Sequence, residues 1–250
     1  MTSNRQANDA KEPECLRILT DRKYLHAGDL FIKRTLRVRE RQIDIFGETI
    51  VPSETFVPRW TNEIAALRFV KEHTNIPIPK FHAAYHDDGS FHFVTEFVEG
   101  VEMSELLPEQ KEVVMRQVEK HLAELHSCRS VTFGGPWNGL VFAPYRAFWR
   151  WSPYMVYDVR EDFEEGTRMK YVFCHNDLSQ NNIIVDPGTL EIKAIVDWEF
   201  AGFYPEWFER DYWKRDGPSI PMEGEEDDTL KLKTWLLERC VAATWGAVKK

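Results

Sequence analysis

Apolar and polar residues alternate over short runs between Cys15 and Leu36, in the segments CLRILT, KYLH and DLFIKRTL. Period-two alternation of this length predicts strands, with Asp21-Arg22 and Ala27-Gly28-Asp29 as the turns between them. Lys33 then falls late in the third strand. From about Pro58 to His73 the period changes: Trp60, Ile64, Leu67 and Val70 share one face of a helix, and Glu63 lies beside it. Asn75-Ile76-Pro77-Ile78-Pro79 must be extended, because each proline restricts the residue before it. Phe81 to Tyr85 and Phe91 to Val98 read as a hairpin turned at Asp87-Asp88-Gly89-Ser90.

Beyond Glu99-Gly100, which reads as a hinge, the pattern becomes helical. Val114, Val118, His121, Leu122 and Leu125 form a stripe on a helix from about Pro108 to His126. Further helix is expected within Arg146 to Arg168 and over Glu206 to Lys214. A last helix is expected over Asp228 to Ala247, capped by Asp228 or Thr229. Tyr171 to Pro205 reads instead as a strand, a polar loop and two more strands. Residues before Pro13 read as a loose polar tail, and Arg37 to Ser53 as a mobile charged connection. The coarse order is an α+β chain: a strand-rich part with one long helix, then a helix-rich part with a small sheet. A cleft between two such lobes is a natural ligand site.

Composition changes this picture in only a few respects. The 250 residues, 43% hydrophobic and 29% charged, suffice for one large domain or two small lobes. The formal net charge of -9 argues against a nucleic-acid partner. No apolar run is long enough to cross a bilayer. Cys15, Cys128, Cys174 and Cys240 are scattered, which points to reduced thiols and a cytoplasmic location. The polar N-terminus does not resemble a signal peptide.

The chemistry concentrates in the loop His175-Asn176-Asp177-Leu178-Ser179-Gln180-Asn181-Asn182 and the cluster Asp197-Trp198-Glu199. Phosphoryl transfer needs a carboxylate to orient the attacking hydroxyl and ligands for the metal on the nucleotide phosphates. Asp177 suits the first task, Asn182 and Asp197 the second. It also needs a cation on the phosphates with an acidic partner, and Lys33 on a strand with Glu63 on the next helix suits that. A strand lysine and a helix glutamate are ordinarily surface residues, so this pair gains weight only beside the later motif. A metal-dependent hydrolase built on His175, Asp177, Asp197 and Glu199 is an alternative, although carboxylate and amide oxygens suit magnesium better than zinc. A Cys174–His175 nucleophile is weaker still, because Cys174 ends an apolar strand.

FIK at Phe31 to Lys33, NEIAALRFV at Asn62 to Val70, HTNIPIPK at His73 to Lys80 and FVTEFVEG at Phe93 to Gly100 carry a resemblance. So do CHNDLSQNNIIVD at Cys174 to Asp186 and IVDWEFAGFYPE at Ile195 to Glu206, which are the specific ones. The chain resembles the aminoglycoside phosphotransferase and choline kinase family, in its fungal branch of small members. The resemblance implies a two-lobed protein-kinase-like fold, with lobes at 14–99 and 100–250. It implies ATP and Mg2+ as cofactors and a small-molecule acceptor, either an amino-alcohol, a sugar or a secondary metabolite. Lys33 would meet the α- and β-phosphates with Glu63 behind it, and backbone groups of Glu96 and Val98 would meet adenine. Asp177 would be catalytic, Asn182 and Asp197 would hold the metal with Glu199 assisting through water, and His175 would brace the loop.

Three departures from the family pattern stand out. Asn176 occupies a position where many relatives have glycine. No glycine-rich loop precedes Lys33. The region after Phe208, where relatives shape the acceptor pocket, is brief. A catalytically silent nucleotide-binding scaffold of the same fold is therefore the other alternative. Glu206, Glu209, Asp211 and Asp216 suit either a pocket for a cationic acceptor or a wet helix face.

Overall fold

The computed structural model describes residues 4–147, 156–160 and 170–242. The chain divides into two compact units. One comprises Met1–Trp60 with Pro79–Val98, the other Thr61–Ile78 with Glu99–Lys250.

The first unit is built on a five-stranded antiparallel sheet of order β1-β2-β3-β5-β4, with β1 Cys15–Ile18, β2 Arg22–Ala27, β3 Leu30–Thr35, β4 Phe81–Asp87 and β5 Ser90–Glu96. The alternation read from the sequence becomes these strands. The β4–β5 turn, Asp88-Gly89, has φ of 47° and 68°, the left-handed pair that a two-residue hairpin requires. The polar tail is not loose. Asn4–Asp9 forms a short helix, α1. The Asn8 side chain donates to the Ile18 carbonyl at 2.8 Å and accepts the Ile18 N–H at 3.0 Å, as a neighbouring strand would. The connection after β3 is tied down as well. Glu40 accepts from Arg34 at 2.6 and 2.7 Å and pairs with Lys23 at 2.8 Å. Lys23 and Arg34 are both buried cations, which persist inside a fold only when paired.

Helix α2, Phe56–His73, starts in the first unit, where Trp60 packs on Phe56 and Phe91. From Thr61 onward it belongs to the second unit, where Phe69 stacks on Phe173 at 4.4 Å and meets Phe203 edge-on. Helix α3, Pro108–Ser127, opens on proline at its first position and buries Val114, Val118 and Leu125, three residues of the expected stripe.

Three small antiparallel sheets complete the described part of this unit. In them β10, Tyr171–Cys174, lies between β7, Arg129–Ser130, and β13, Gly202–Tyr204. Next come β6, Val101–Glu102, β11, Ile183–Val185, and β12, Ile192–Ile195, ordered β12-β11-β6. The last contains β8, Val141–Phe142, β9, Val156–Val159, and β14, Cys240–Ala242, ordered β14-β9-β8. Strand β9 lies where helix was expected; residues 148–155 and 161–168 fall outside the described residues. The stretch Glu206 to Lys214 is not one helix but two short 3-10 turns, Glu206–Phe208 and Tyr212–Lys214. The Phe208, Tyr212 and Trp213 side chains are all buried.

The final helix, α4, runs only over Thr229–Arg239 before β14 begins. Asp228 sits at its N-cap without capping it. Its carboxylate instead takes Arg146, through Nε at 2.8 Å and Nη2 at 3.0 Å, and Arg146 also donates to the Phe208 carbonyl at 2.7 Å. Asp227 supplies the cap, accepting the Thr229 N–H at 3.0 Å. The cysteines are free thiols, and no described helix is long and apolar enough to cross a membrane.

Burial raises the carboxyl pKa of Glu40, but hydrogen bonds from Arg34 and Lys23 outweigh it and hold the group far below the usual range. A depressed carboxyl stabilises the fold above its unfolded pKa, and that stability drains away as pH falls below about 4.5. Glu40→Gln should therefore cost about 2 kcal/mol in urea denaturation at pH 7, because it leaves two buried cations short of charge. The difference from wild type should shrink towards pH 3.

Candidate active site

Burial of Cys174 and His175 takes the chain from strand β10 directly into the polar loop; both are fully buried. An imidazole so enclosed is held neutral, its pKa pushed down to about 4 by loss of solvent. Both ring nitrogens are used. The Asp177 N–H donates to Nδ1 at 3.2 Å, which leaves the ring proton on Nε2, and Nε2 donates to the Val196 carbonyl at 2.9 Å. One side chain thus joins the loop to the residue before Asp197. A second stitch runs parallel to it, from the Val196 N–H to the Asn182 carbonyl at 3.0 Å. Asn182 closes the loop on itself, its Nδ2 donating to the Asp177 carbonyl at 2.7 Å.

These bonds bring Asp177, Asn182 and Asp197 together. The Asp177 carboxyl shows it: its pKa is raised well above the usual range, first by burial and next by the Asp197 carboxylate, with Glu199 adding to the effect. Asp177 as a residue is half-buried, so this enclosure belongs to its carboxyl end. The buried Ser219 hydroxyl lowers the same pKa slightly, although the pair is not well aligned as a hydrogen bond. Neighbouring carboxylates and a side-chain amide are the hard-oxygen donor types that a divalent cation such as Mg2+ takes.

Two backbone turns bracket the set. Asn176 has φ of 67° and Asp197 has φ of 63° with ψ of 52°, both left-handed. Glycine adopts this region freely, and asparagine and aspartate tolerate it best among the rest. Asparagine is thus the side chain that fits in place of glycine at 176, and its Nδ2 adds a bond to the Phe200 carbonyl at 3.0 Å. Trp198 locks the second turn by donating from Nε1 to the Ile195 carbonyl at 2.8 Å.

Glu63 is also buried in this unit. The residue before it, Asn62, anchors α2 by donating to the Glu199 and Ala201 carbonyls at 3.2 and 2.9 Å. Gly135 permits that approach, since a Cβ there would come within 2.2 Å of Asn62 Oδ1. In the first unit Lys33 is buried on β3, its ammonium 4.9 Å from the Phe93 ring centre and 5.9 Å from that of Trp60. A buried ammonium beside aromatic faces is held there by cation–π attraction. Glu96 ends β5 with its own N–H donated to the Lys80 carbonyl at 2.8 Å, and the half-buried Val98 closes the unit. The β1–β2 connection, Leu19-Thr20-Asp21, contains no glycine, as the sequence indicated.

The hydrolase alternative loses its histidine, because neither nitrogen of His175 is left for a metal. The Cys174 nucleophile fares no better: burial raises its thiol pKa well above normal, and its Sγ points back to the Val172 carbonyl. Sequence reasoning missed Asn62, Ser219 and Glu209. The sequence groups Glu209 with Glu206, Asp211 and Asp216, yet those three are exposed while Glu209 accepts the backbone N–H groups of His175 and Asn176. Nothing in the local pattern separates it from its acidic neighbours; only the adjacent aromatic residues hint at burial.

A sequence profile of the phosphotransferase enzyme family matches residues 28–209, which includes strands β3, β4 and β5, helix α2 and the whole Asp177–Asp197 constellation. Among solved structures, the chain is similar to aminoglycoside-3'-phosphotransferase of type VIII at 18% identity, covering 80% of this chain and 77% of the other, with a TM-score of 0.48. It is similar to an aminoglycoside phosphotransferase from Streptomyces rimosus at 15% identity, covering 80% and 76%, TM-score 0.48. A thermostable mutant aminoglycoside phosphotransferase in ternary complex with ADP and hygromycin B aligns at 16% identity over 76% and 66%, TM-score 0.47. No curated protein matches the sequence.

Neutral His175 makes a pH prediction. Its folded pKa lies below its unfolded value, so between about 6.5 and 4 the unfolded chain binds the extra proton. Stability from this group is complete above about pH 6.5 and is lost as pH falls towards 4, by on the order of 3 kcal/mol. Thermal melts from pH 7 to 4.5 should show a shallower decline in His175→Gln than in wild type, from a lower starting point.

Proposed function

This chain belongs to the phosphotransferase enzyme family, a kinase-type enzyme acting on hydroxyl groups, and we propose that it uses ATP and Mg2+ to phosphorylate a small molecule. An amino-alcohol, a sugar or a secondary metabolite is the acceptor class. The observation that carries this reading is the convergence of Asp177, Asn182 and Asp197, stitched through the neutral His175 ring.

Each role follows from what phosphoryl transfer demands. The transferred group spreads negative charge over its oxygens, so most of the work is positioning and charge compensation. Asp177 orients the acceptor hydroxyl and takes its proton. Burial and the neighbouring Asp197 carboxylate raise its pKa, which makes it a better proton acceptor than an ordinary carboxylate. Asn182 and Asp197 would hold Mg2+, whose charge would offset that of the nucleotide phosphates. Lys33 and Glu63 serve the α- and β-phosphates, and backbone groups of Glu96 and Val98 serve adenine. A cationic acceptor would suit the exposed carboxylates of Glu206, Asp211 and Asp216.

The glycine-free β1–β2 connection favours a second reading, a nucleotide binder without turnover. A metabolite panel incubated with labelled ATP separates the two, since any phosphorylated product eliminates the silent form. Under the main reading, nucleotide binding by calorimetry should require magnesium. Asp177→Asn should lower turnover by about 100- to 10,000-fold while keeping nucleotide affinity. Wild-type protein that shows no magnesium-dependent nucleotide binding would overturn it.

A further inference from the structure

Residues 215–225 contain neither helix nor strand and fold instead around one side chain. The Arg215 guanidinium donates from Nη1 to the Asp216 and Pro218 carbonyls at 3.1 and 2.9 Å, and from Nη2 to the Ile220 carbonyl at 2.7 Å. Glu225 closes the other edge, accepting from Nε at 2.5 Å and from Nη2 at 2.8 Å. A planar fork bonded along its whole rim leaves this turn little freedom. Two more bonds tie it to the rest of the second unit. Buried Lys111 on α3 pairs with Asp216 at 2.5 Å, and buried Gln180, in the polar loop, donates to the Trp213 carbonyl at 3.1 Å.

Ser219 lies between Pro218 and Ile220, the two residues whose carbonyls Arg215 holds. It is 2% exposed, and its hydroxyl has no hydrogen-bond partner among the described residues. Folds rarely carry the cost of an unmet buried hydroxyl. What Ser219 lies against is the Asp177 carboxyl, near enough to act on it but out of line for a bond. Contacts of catalytic groups are commonly misaligned until the reactants are in place.

Under the phosphotransferase reading, Asp177 takes the proton of an acceptor hydroxyl. Ser219 presents the same functional group, an aliphatic alcohol, to the same carboxylate. A hydroxyl beside its base, otherwise unbonded and carried on a rigid turn, is what nucleophilic attack requires. Its enclosure also keeps it away from the active site of any other enzyme, so only nucleotide bound by this chain can serve it.

We propose that Ser219 is a self-phosphorylation site: without a small-molecule acceptor, the protein transfers the γ-phosphoryl group of its own ATP to the Ser219 hydroxyl. This rests on the phosphotransferase reading of the same site. Ser219 Oγ attacks the γ-phosphorus and forms the new O–P bond. The bond from that phosphorus to the β–γ bridging oxygen breaks, and ADP leaves with the electron pair. The hydroxyl proton passes to the Asp177 carboxylate. The products are ADP and phosphoserine, and no other reactant is needed. The phosphate brings about two negative charges to a place beside Asp177, whose own neighbours Asp197 and Glu199 are acidic. Repulsion then works against the packing of this turn on the polar loop.

The test incubates the full chain with magnesium and γ-labelled ATP, with no acceptor added. Mass spectrometry of the peptide 216–231, fragmented to tell Ser219 from Thr229, locates the label. Label should accumulate on Ser219 towards one phosphate per chain. Its rate constant should not depend on protein concentration, as transfer within one molecule requires. Ser219→Ala should lose the label while binding nucleotide within about twofold of wild type, and Ser219→Thr should regain it. Asp177→Asn should slow labelling by about 100- to 10,000-fold. Wild type that phosphorylates a metabolite of the panel but leaves Ser219 unlabelled overturns this proposal alone. Label confined to other residues, or a rate constant proportional to protein concentration, overturns it as well. Wild type that labels neither itself nor any metabolite overturns the phosphotransferase reading together with this proposal.

Discussion

The site depends on one buried, neutral imidazole. With no water to compete, each nitrogen of His175 must find a protein partner, and an unmet polar atom there would cost about 1 to 3 kcal/mol. It finds the Asp177 N–H on one side and the Val196 carbonyl on the other. Those partners lie on two segments separated by the β11–β12 hairpin, so satisfying one ring fixes their relative placement. The carboxylates then meet as a consequence, and their mutual repulsion is tolerated because the loop and strand cannot separate without stranding the ring.

Polar burial elsewhere follows the same logic. In the first unit buried Lys23 and Arg34 are paired by Glu40, which reaches back from the connection after β3, with Glu12 also on Lys23. In the second, Arg146 and Asp228 are almost fully enclosed, and the remaining guanidinium donor takes the Phe208 carbonyl. Such pairs add little net stability over apolar residues of the same shape, but removing either partner is costly. Their value lies in register. Arg146 holds the start of α4 against the turn that carries Glu209, and hence against the loop itself.

Parts of the fold were legible because periodicity reports burial directly. Helix α3 buries the stripe that its spacing marks, and Asp88-Gly89 takes the left-handed turn that its residue types favour; β3 and β5 form where alternation places strands, although their burial does not alternate. The stretch Glu206 to Lys214 was not legible, because a run of aromatic and charged residues has no clean period and short 3-10 turns leave none. Strands β9 and β14 pair with each other across eighty residues, and no local window contains that partnership. The tail helix was hidden for a similar reason: Asn8 looks like any polar residue until Ile18 is beside it.

Residue types and spacing by themselves pointed to phosphoryl transfer and to the family. A carboxylate five residues before an amide, followed by a second carboxylate after a β-branched strand, is a set that few reactions need, and it sits inside the stretch that places the chain in its family. Tertiary structure alone decided which polar groups serve that set. It separated Glu209 from Glu206 and Asp211, showed that His175 is a neutral brace, and explained asparagine at 176 by its left-handed backbone. The physical reason is that a side chain's identity is local, whereas its burial and its hydrogen-bond partners depend on residues far away in the chain.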